Sequence, residues 1–154
     1  MAVKEIAYDA DGWRSGTIWL DDGVLVWHEL PQPSDGSAGS NGHPLVDRLR
    51  EYFAGRQVAF DDVAIDLDWC TEFQRAVAEA LRAVPYGEVV TYGELAALAG
   101  YPNAQRAAGT FCAHNRLPLL LPCHRVVSAG GIGSYGSLGV GFKRRLLELE
   151  GVRL

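Results

Sequence analysis

The stretch TYGELAALAGYPNAQRAAGTFCAH, Thr91 to His114, decides how the second half of the chain is built. Thr91-Tyr92-Gly93-Glu94 has the form of a capping box, in which a Thr side chain takes an N–H three residues on and a Glu reaches back, so a short helix opens here. Leu95, Leu98 and Ala99 give it an apolar side, and Gly100 ahead of Tyr101-Pro102 stops it. A further helix is expected from about Asn103 to His114, burying Ala104, Ala107, Ala108, Phe111 and Cys112 at spacings of three and four. Two short helices around a brief Gly-containing turn make a helix-turn-helix, whose second helix is the usual groove reader. The same pattern also serves ordinary helical packing, so both readings stand at this point.

Outward toward the amino terminus, Thr71-Glu72-Phe73-Gln74 is another capping box, ahead of Phe73, Ala76, Val77, Ala80 and Leu81 on one helical face, with an end at Pro85-Tyr86-Gly87. The first half reads differently. Lys4 to Tyr8, Trp13 to Leu20 and Val24 to Leu30 are short strands joined at Asp11-Gly12 and Asp22-Gly23, which supply the positive-φ positions of tight turns and so predict a β-meander. Pro31 to His43 is rich in Pro, Gly, Ser and Asn, a loop composition. Leu45, Leu49, Tyr52 and Phe53 then recur at helical spacing before a stop at Gly55. Nothing in this half carries a catalytic pattern.

The 154 residues suffice for one ordinary globular unit or two very small ones. No run of eighteen or more apolar residues occurs, and Met1-Ala2-Val3-Lys4-Glu5 lacks the apolar core of a signal peptide, so a cytoplasmic protein without a membrane partner is expected. Cys70, Cys112 and Cys123 are odd in number with no CxxC spacing, which points to reduced thiols. The net charge of −5 argues against a nucleic-acid partner until the chain is divided. Residues 1 to 69 carry five Lys or Arg against thirteen Asp or Glu, and residues 70 to 154 carry nine against six. The basic surplus therefore lies in the half that holds the helix-turn-helix.

In the same half, Leu119-Leu120-Leu121-Pro122-Cys123-His124-Arg125-Val126-Val127 is an apolar run interrupted by four residues. Pro122 fixes its own φ and biases Leu121 away from helix, so the backbone turns into Cys123. The adjacent His and Arg favour thiolate, the nucleophilic form, against the alternative of a buried structural cysteine. Cys70 and Cys112 keep the structural reading. A histidine base is usually oriented by a third group. On the last helix Glu150 shares a face with Leu146 and Leu147, where a carboxylate is costly unless paired; a buried partner and a frayed terminus are the two readings.

Pro122-Cys123-His124-Arg125-Val126 resembles the active-site signature of the O6-alkylguanine-DNA alkyltransferases, or methylated-DNA–protein-cysteine methyltransferases. The likeness runs from about Thr71 to Gly151 and includes Pro85-Tyr86-Gly87-Glu88, Thr91-Tyr92-Gly93-Glu94-Leu95-Ala96, Arg106-Ala107-Ala108-Gly109, Asn115 and Leu146-Leu147-Glu148-Leu149-Glu150-Gly151. The resemblance implies that Cys123 is the alkyl acceptor, His124 its base through a water, Glu150 the partner of His124, and Asn115 the brace of the turn between the recognition helix and the active-site strand. It makes Arg106 a finger pushed into the base stack. It sets Tyr92 beside the flipped base, where its hydroxyl stabilises charge on the departing guanine, and Tyr135 and Pro118 on the walls of the pocket. Ala107 and Gly109 permit close approach to a minor groove, and Arg125 and Val126 belong to the substrate-facing set.

The implied fold is α+β: a small mixed β-meander and helix domain over residues 1–68, then a mostly helical, winged-helix-like domain with the helix-turn-helix over 69–154. The implied activity is direct reversal of O6-alkylguanine in double-stranded DNA, with O4-alkylthymine as a further substrate, once per monomeric chain and without a cofactor. Two sequence features depart from the family pattern: Gly136 to Gly141 is more irregular than its glycine-rich loop, and Arg116 stands where a proline is common. With only His28 and His43 and no cysteine in the first domain, no metal is expected. The rival readings are a non-enzymatic alkyltransferase-like lesion binder, which would replace the acceptor cysteine, and a Cys-His hydrolase, which would turn over.

Overall fold

The computed structural model describes residues 3–32 and 42–154. Chain contacts divide it into two compact units, residues 1–66 with 116–118 and residues 67–115 with 119–154. The architecture is α+β. Among the described residues no helix is long and apolar enough to cross a membrane.

In the first unit an antiparallel meander, β1 (Val3–Ala10), β2 (Arg14–Asp21) and β3 (Val24–Gln32), runs in the order β1-β2-β3. Alternation sends Ile6, Tyr8 and Ala10 of β1 and Ile18 and Leu20 of β2 to the buried side. The β2–β3 connection is the two-residue Asp22-Gly23 turn, both residues at positive φ (51° and 81°), which closes the Asp21–Val24 pair. Of the loop expected over residues 31–43, Pro31 and Gln32 instead complete β3, and residues 33–41 lie outside the described residues. Helix α1 (Pro44–Phe53) buries Leu45, Val46, Leu49, Tyr52 and Phe53, each worth about 1.5–3 kcal/mol for a large side chain.

Both histidines of this unit have structural roles. His43 caps α1, its Nδ1 accepting from Leu45 N at 3.1 Å. His28 is buried, with Nε2 2.8 Å from the Tyr8 hydroxyl and Nδ1 2.7 Å from the Pro118 carbonyl. Arg116 lies over the Trp27 ring, 5.8 Å from its centroid, and its carbonyl accepts from His28 N at 3.0 Å.

The second unit holds α2 (Glu72–Arg82), α3 (Tyr92–Leu98), α4 (Gln105–Ala113) and α5 (Gly139–Leu149), with a parallel pair of two-residue strands, β4 (Val90–Thr91) and β5 (Val126–Val127). Both capping boxes form, with Thr71 and Gln74 at α2 and Thr91 and Glu94 at α3 each exchanging their two bonds. Two expected core residues are on the surface. Leu98 is 66% exposed, since α3 turns Leu95 and Ala96 inward and, at about 100° per residue, leaves Leu98 well off that face. Ala107 is exposed for the same reason: α4 buries Ala108 and Phe111.

Candidate active site

Cys123 is presented by a sequence of tight backbone steps. Pro122, at φ −77° and ψ 64°, has the torsions of an inverse γ-turn, and Cys123 N donates to Leu121 O at 2.7 Å across it. A 3-10 turn, Cys123–Arg125, then leads into β5. Asn115, two residues past the end of α4, fixes this bend: its Nδ2 donates to Leu121 O at 2.8 Å and to Cys123 Sγ at 3.1 Å. One amide thus ties the end of α4 to both the turn and the thiol.

His124 Nε2 lies 2.6 Å from Glu150 Oε2, both side chains without solvent exposure. Against a carboxylate acceptor Nε2 carries the ring proton, which leaves the buried Nδ1 as the basic nitrogen. Glu150 ends α5, where the helix dipole opposes a negative charge. Other donors offset this. Arg125 reaches Glu150 Oε1 through Nε at 2.9 Å and Oε2 through Nη2 at 3.1 Å, and Gly87 N donates to Oε1 at 3.0 Å. Pro85-Tyr86-Gly87 therefore matters by delivering a backbone donor to the carboxylate. Burial by itself would raise the Glu150 carboxyl, but the bonds and charges of His124 and Arg125 hold it well below the usual carboxylate range. Burial pushes His124 down against the pull of Glu150, so the ring is neutral near pH 7.

Contrary to the sequence expectation, His124 and Arg125 do not hold Cys123 as a thiolate. Both side chains turn to Glu150, and burial pushes the Cys123 thiol up despite the Asn115 hydrogen bond and the nearby Lys143 charge. The resting group is a thiol, and a base has to act on it. Arg125 is likewise not a surface contact, being 7% exposed with Nη1 donating to Val84 O at 2.8 Å.

Tyr92, Gly109, Cys112, Ala113, Cys123, Ser134, Tyr135 and Gly136 line a small cleft with about 20 Å³ of free volume. Tyr135 brings a buried hydroxyl toward Cys123, and Gly109 faces the Tyr92 ring. Cys112, read from sequence as structural, shares this cleft; burial raises its thiol far above the usual thiol range, so it stays protonated. Val126 is fully buried, its N–H bonded to Cys123 O and its carbonyl to Lys143 Nζ at 2.5 Å. Pro118 is outside the cleft lining, with its carbonyl on His28. Arg106 and Ala107 are exposed on α4, beside a groove of about 660 Å³ that also takes in Trp69, Phe73 and His114. The structure thus brings Cys123, Asn115, Tyr92, Gly109 and Tyr135 together and sets His124, Glu150 and Arg125 behind them.

Sequence reading passed over Lys143, which is fully buried beside this group. The signal was present: Lys143 precedes Leu146, Leu147 and Glu150 by three, four and seven residues, on the same helical stripe that carries the buried carboxylate.

Fold and site define a cysteine-nucleophile protein built on a helix-turn-helix. Residues 72–152 match the family described as 6-O-methylguanine DNA methyltransferase, DNA binding domain, and the chain belongs to that family. It is 40% identical over 144 residues to a methylated-DNA–protein-cysteine methyltransferase of Methanothermobacter thermautotrophicus, covering 90% of this chain and 80% of the relative. The crystal structure of Mycobacterium tuberculosis O6-methylguanine methyltransferase superposes with a TM-score of 0.83 at 35% identity, covering 99% of this chain and 95% of that one. The Mycobacterium tuberculosis protein in complex with DNA gives 0.80 at 37% identity, over 96% and 92%.

Proposed function

We propose that this chain repairs DNA by direct reversal, moving the alkyl group of O6-alkylguanine onto Cys123 once per molecule. The observation that supports this most is the line of contacts from Asn115 to the Cys123 thiol and, behind it, from His124 to a fully bonded Glu150. His124 Nδ1 takes the thiol proton through a water, and Glu150 steadies the imidazolium that forms. The sulfur attacks the alkyl carbon, an S–C bond forms as the C–O bond breaks, and the electron pair leaves with guanine. Tyr92 donates toward the charge growing on the purine. A thioether offers water no good leaving group, so the acceptor is spent. No cofactor takes part.

The lesion in duplex DNA is shielded by its neighbours, so the nucleotide has to leave the stack. Exposed Arg106, with small Ala107 beside it, suits α4 to a minor groove in which a side chain replaces the extruded base. The free volume of the cleft, about 20 Å³, suits about one water and is far too small for a purine, so the base enters only as its walls part. The chain acts as a monomer on double-stranded DNA in this reading.

Stoichiometry tests it. With O6-methylguanine duplex in excess, methyl transfer should rise to one per chain and stop; continued turnover would point instead to a hydrolase, and binding without transfer to a lesion-recognising relative.

A further inference from the structure

Lys143 is the single lysine of the second half of the chain and has no solvent exposure. A buried ammonium is costly unless acceptors meet its N–H groups. Nζ lies 2.5 Å from Val126 O and 3.1 Å from Ser134 O, with the Tyr92 ring centroid 5.8 Å away. Val126 follows the turn that begins at Cys123, and Ser134 precedes Tyr135, so one ammonium joins the two segments that wall the cleft. Gly133 makes room for it: at φ +80° a Cβ there would lie 3.4 Å from Nζ, 3.5 Å from the Tyr92 ring and 3.3 Å from Ser128 N.

The charges nearby do not balance. Glu150 is matched by Arg125, which bonds both its oxygens, and His124 is neutral. Among the described residues the Lys143 ammonium bonds carbonyl oxygens and no carboxylate. The resting site therefore carries a surplus positive charge in a buried setting, where charge interactions are weakly screened.

We propose that Lys143 is a positioning residue that acts electrostatically, its surplus charge stabilising the Cys123 thiolate as the proton passes to His124 Nδ1, while its two carbonyl bonds hold the cysteine turn against the Tyr135 wall. Burial lowers the Lys143 amine, and the Cys123 and Cys112 thiols pull it back up, the reciprocal sign such a coupling requires. The proposal rests on the alkyl-transfer reading for its purpose, but the thiol itself can be tested without any alkylated base.

The test uses the full chain and methyl methanethiosulfonate, a small reagent that captures thiolate, with labelling of Cys123 followed by peptide mass across neutral and alkaline pH. Lys143→Met removes the charge and keeps an unbranched chain; Lys143→Arg keeps the charge. The Met variant should move the Cys123 profile to higher pH by about one unit, roughly tenfold slower labelling near neutrality, whereas the Arg variant keeps the wild-type midpoint even if its rates fall. A Met profile that coincides with wild type, or equal displacement in both variants, would overturn the proposal. If neither variant folds, the Lys143 amine is titrated by NMR in wild type and Cys123→Ser: loss of the thiol should lower its titration point, and an unchanged one refutes the coupling. Failure of methyl transfer with an intact thiol profile would count against the repair reading alone.

Discussion

Replacing Glu150 by Gln leaves Arg125 buried without its carboxylate and His124 without a partner for its imidazolium. Breaking a buried pair from one side costs about 3–5 kcal/mol, and a base that loses its orienting partner forfeits part of the roughly 10²–10⁴-fold that a positioned base contributes. Glu150→Gln should therefore lower the urea midpoint and, on the fraction still folded, slow methyl transfer; wild-type values in both assays would remove Glu150 from the site. At this scale Cys123 and Glu150 were legible because each breaks a local rule, a Pro-led turn inside an apolar run and a carboxylate on an apolar stripe. Arg125 was not. Its bond to Glu150 spans twenty-five residues, and adjacency to Cys123 suggested a role at the thiol, whereas the fold turns the side chain to the helix end instead.

In the proposed reading α4 carries the recognition of DNA and the turn at Cys123 carries the chemistry. Arg106 lies near the start of α4, on the side away from buried Ala108, and takes no part in the Asn115–Cys123 and His124–Glu150 hydrogen bonds. Arg106→Ala should slow transfer from O6-methylguanine in duplex DNA markedly, since unstacking costs a few kcal/mol and each ~1.4 kcal/mol is about tenfold. Transfer from free O6-benzylguanine, which needs no unstacking, should change little. Equal fractional loss on the two substrates would refute a finger role. The helices themselves were readable because capping boxes are local, two hydrogen bonds within four residues. Their inward faces were less so: in a helix as short as α3, two turns do not define a stripe well enough to tell Leu98 from Ala96.

Across the molecule the acidic surplus falls in residues 1–69 and the basic surplus in residues 70–154, an asymmetry plain from the charge count before any fold was known. The role of His28 was not plain, because its partners Tyr8 and Pro118 are twenty and ninety residues away. Burial, partly offset by the Pro118 hydrogen bond, takes its pKa down to about 4. Below the unfolded value of about 6.5 the unfolded chain binds a proton that the folded chain refuses, so stability falls with pH from about 6.5 to about 4 and levels off beneath that. The contribution is about 3 kcal/mol at most, and His124, also pushed down by burial, acts in the same direction. Chemical denaturation at stepped pH should show the loss, with a shallower slope in His28→Gln; an unchanged slope would contradict a neutral buried His28.

Peptide-resolved mass analysis after incubation with an O6-methylguanine duplex shows which sulfur, if any, takes the alkyl group. A single added methyl group is expected, located on Cys123, absent from Cys70 and Cys112, and absent altogether from Cys123→Ser even though that variant still binds the duplex. A methyl group on another residue, more than one per chain, or none on a folded wild-type protein would contradict transfer to Cys123.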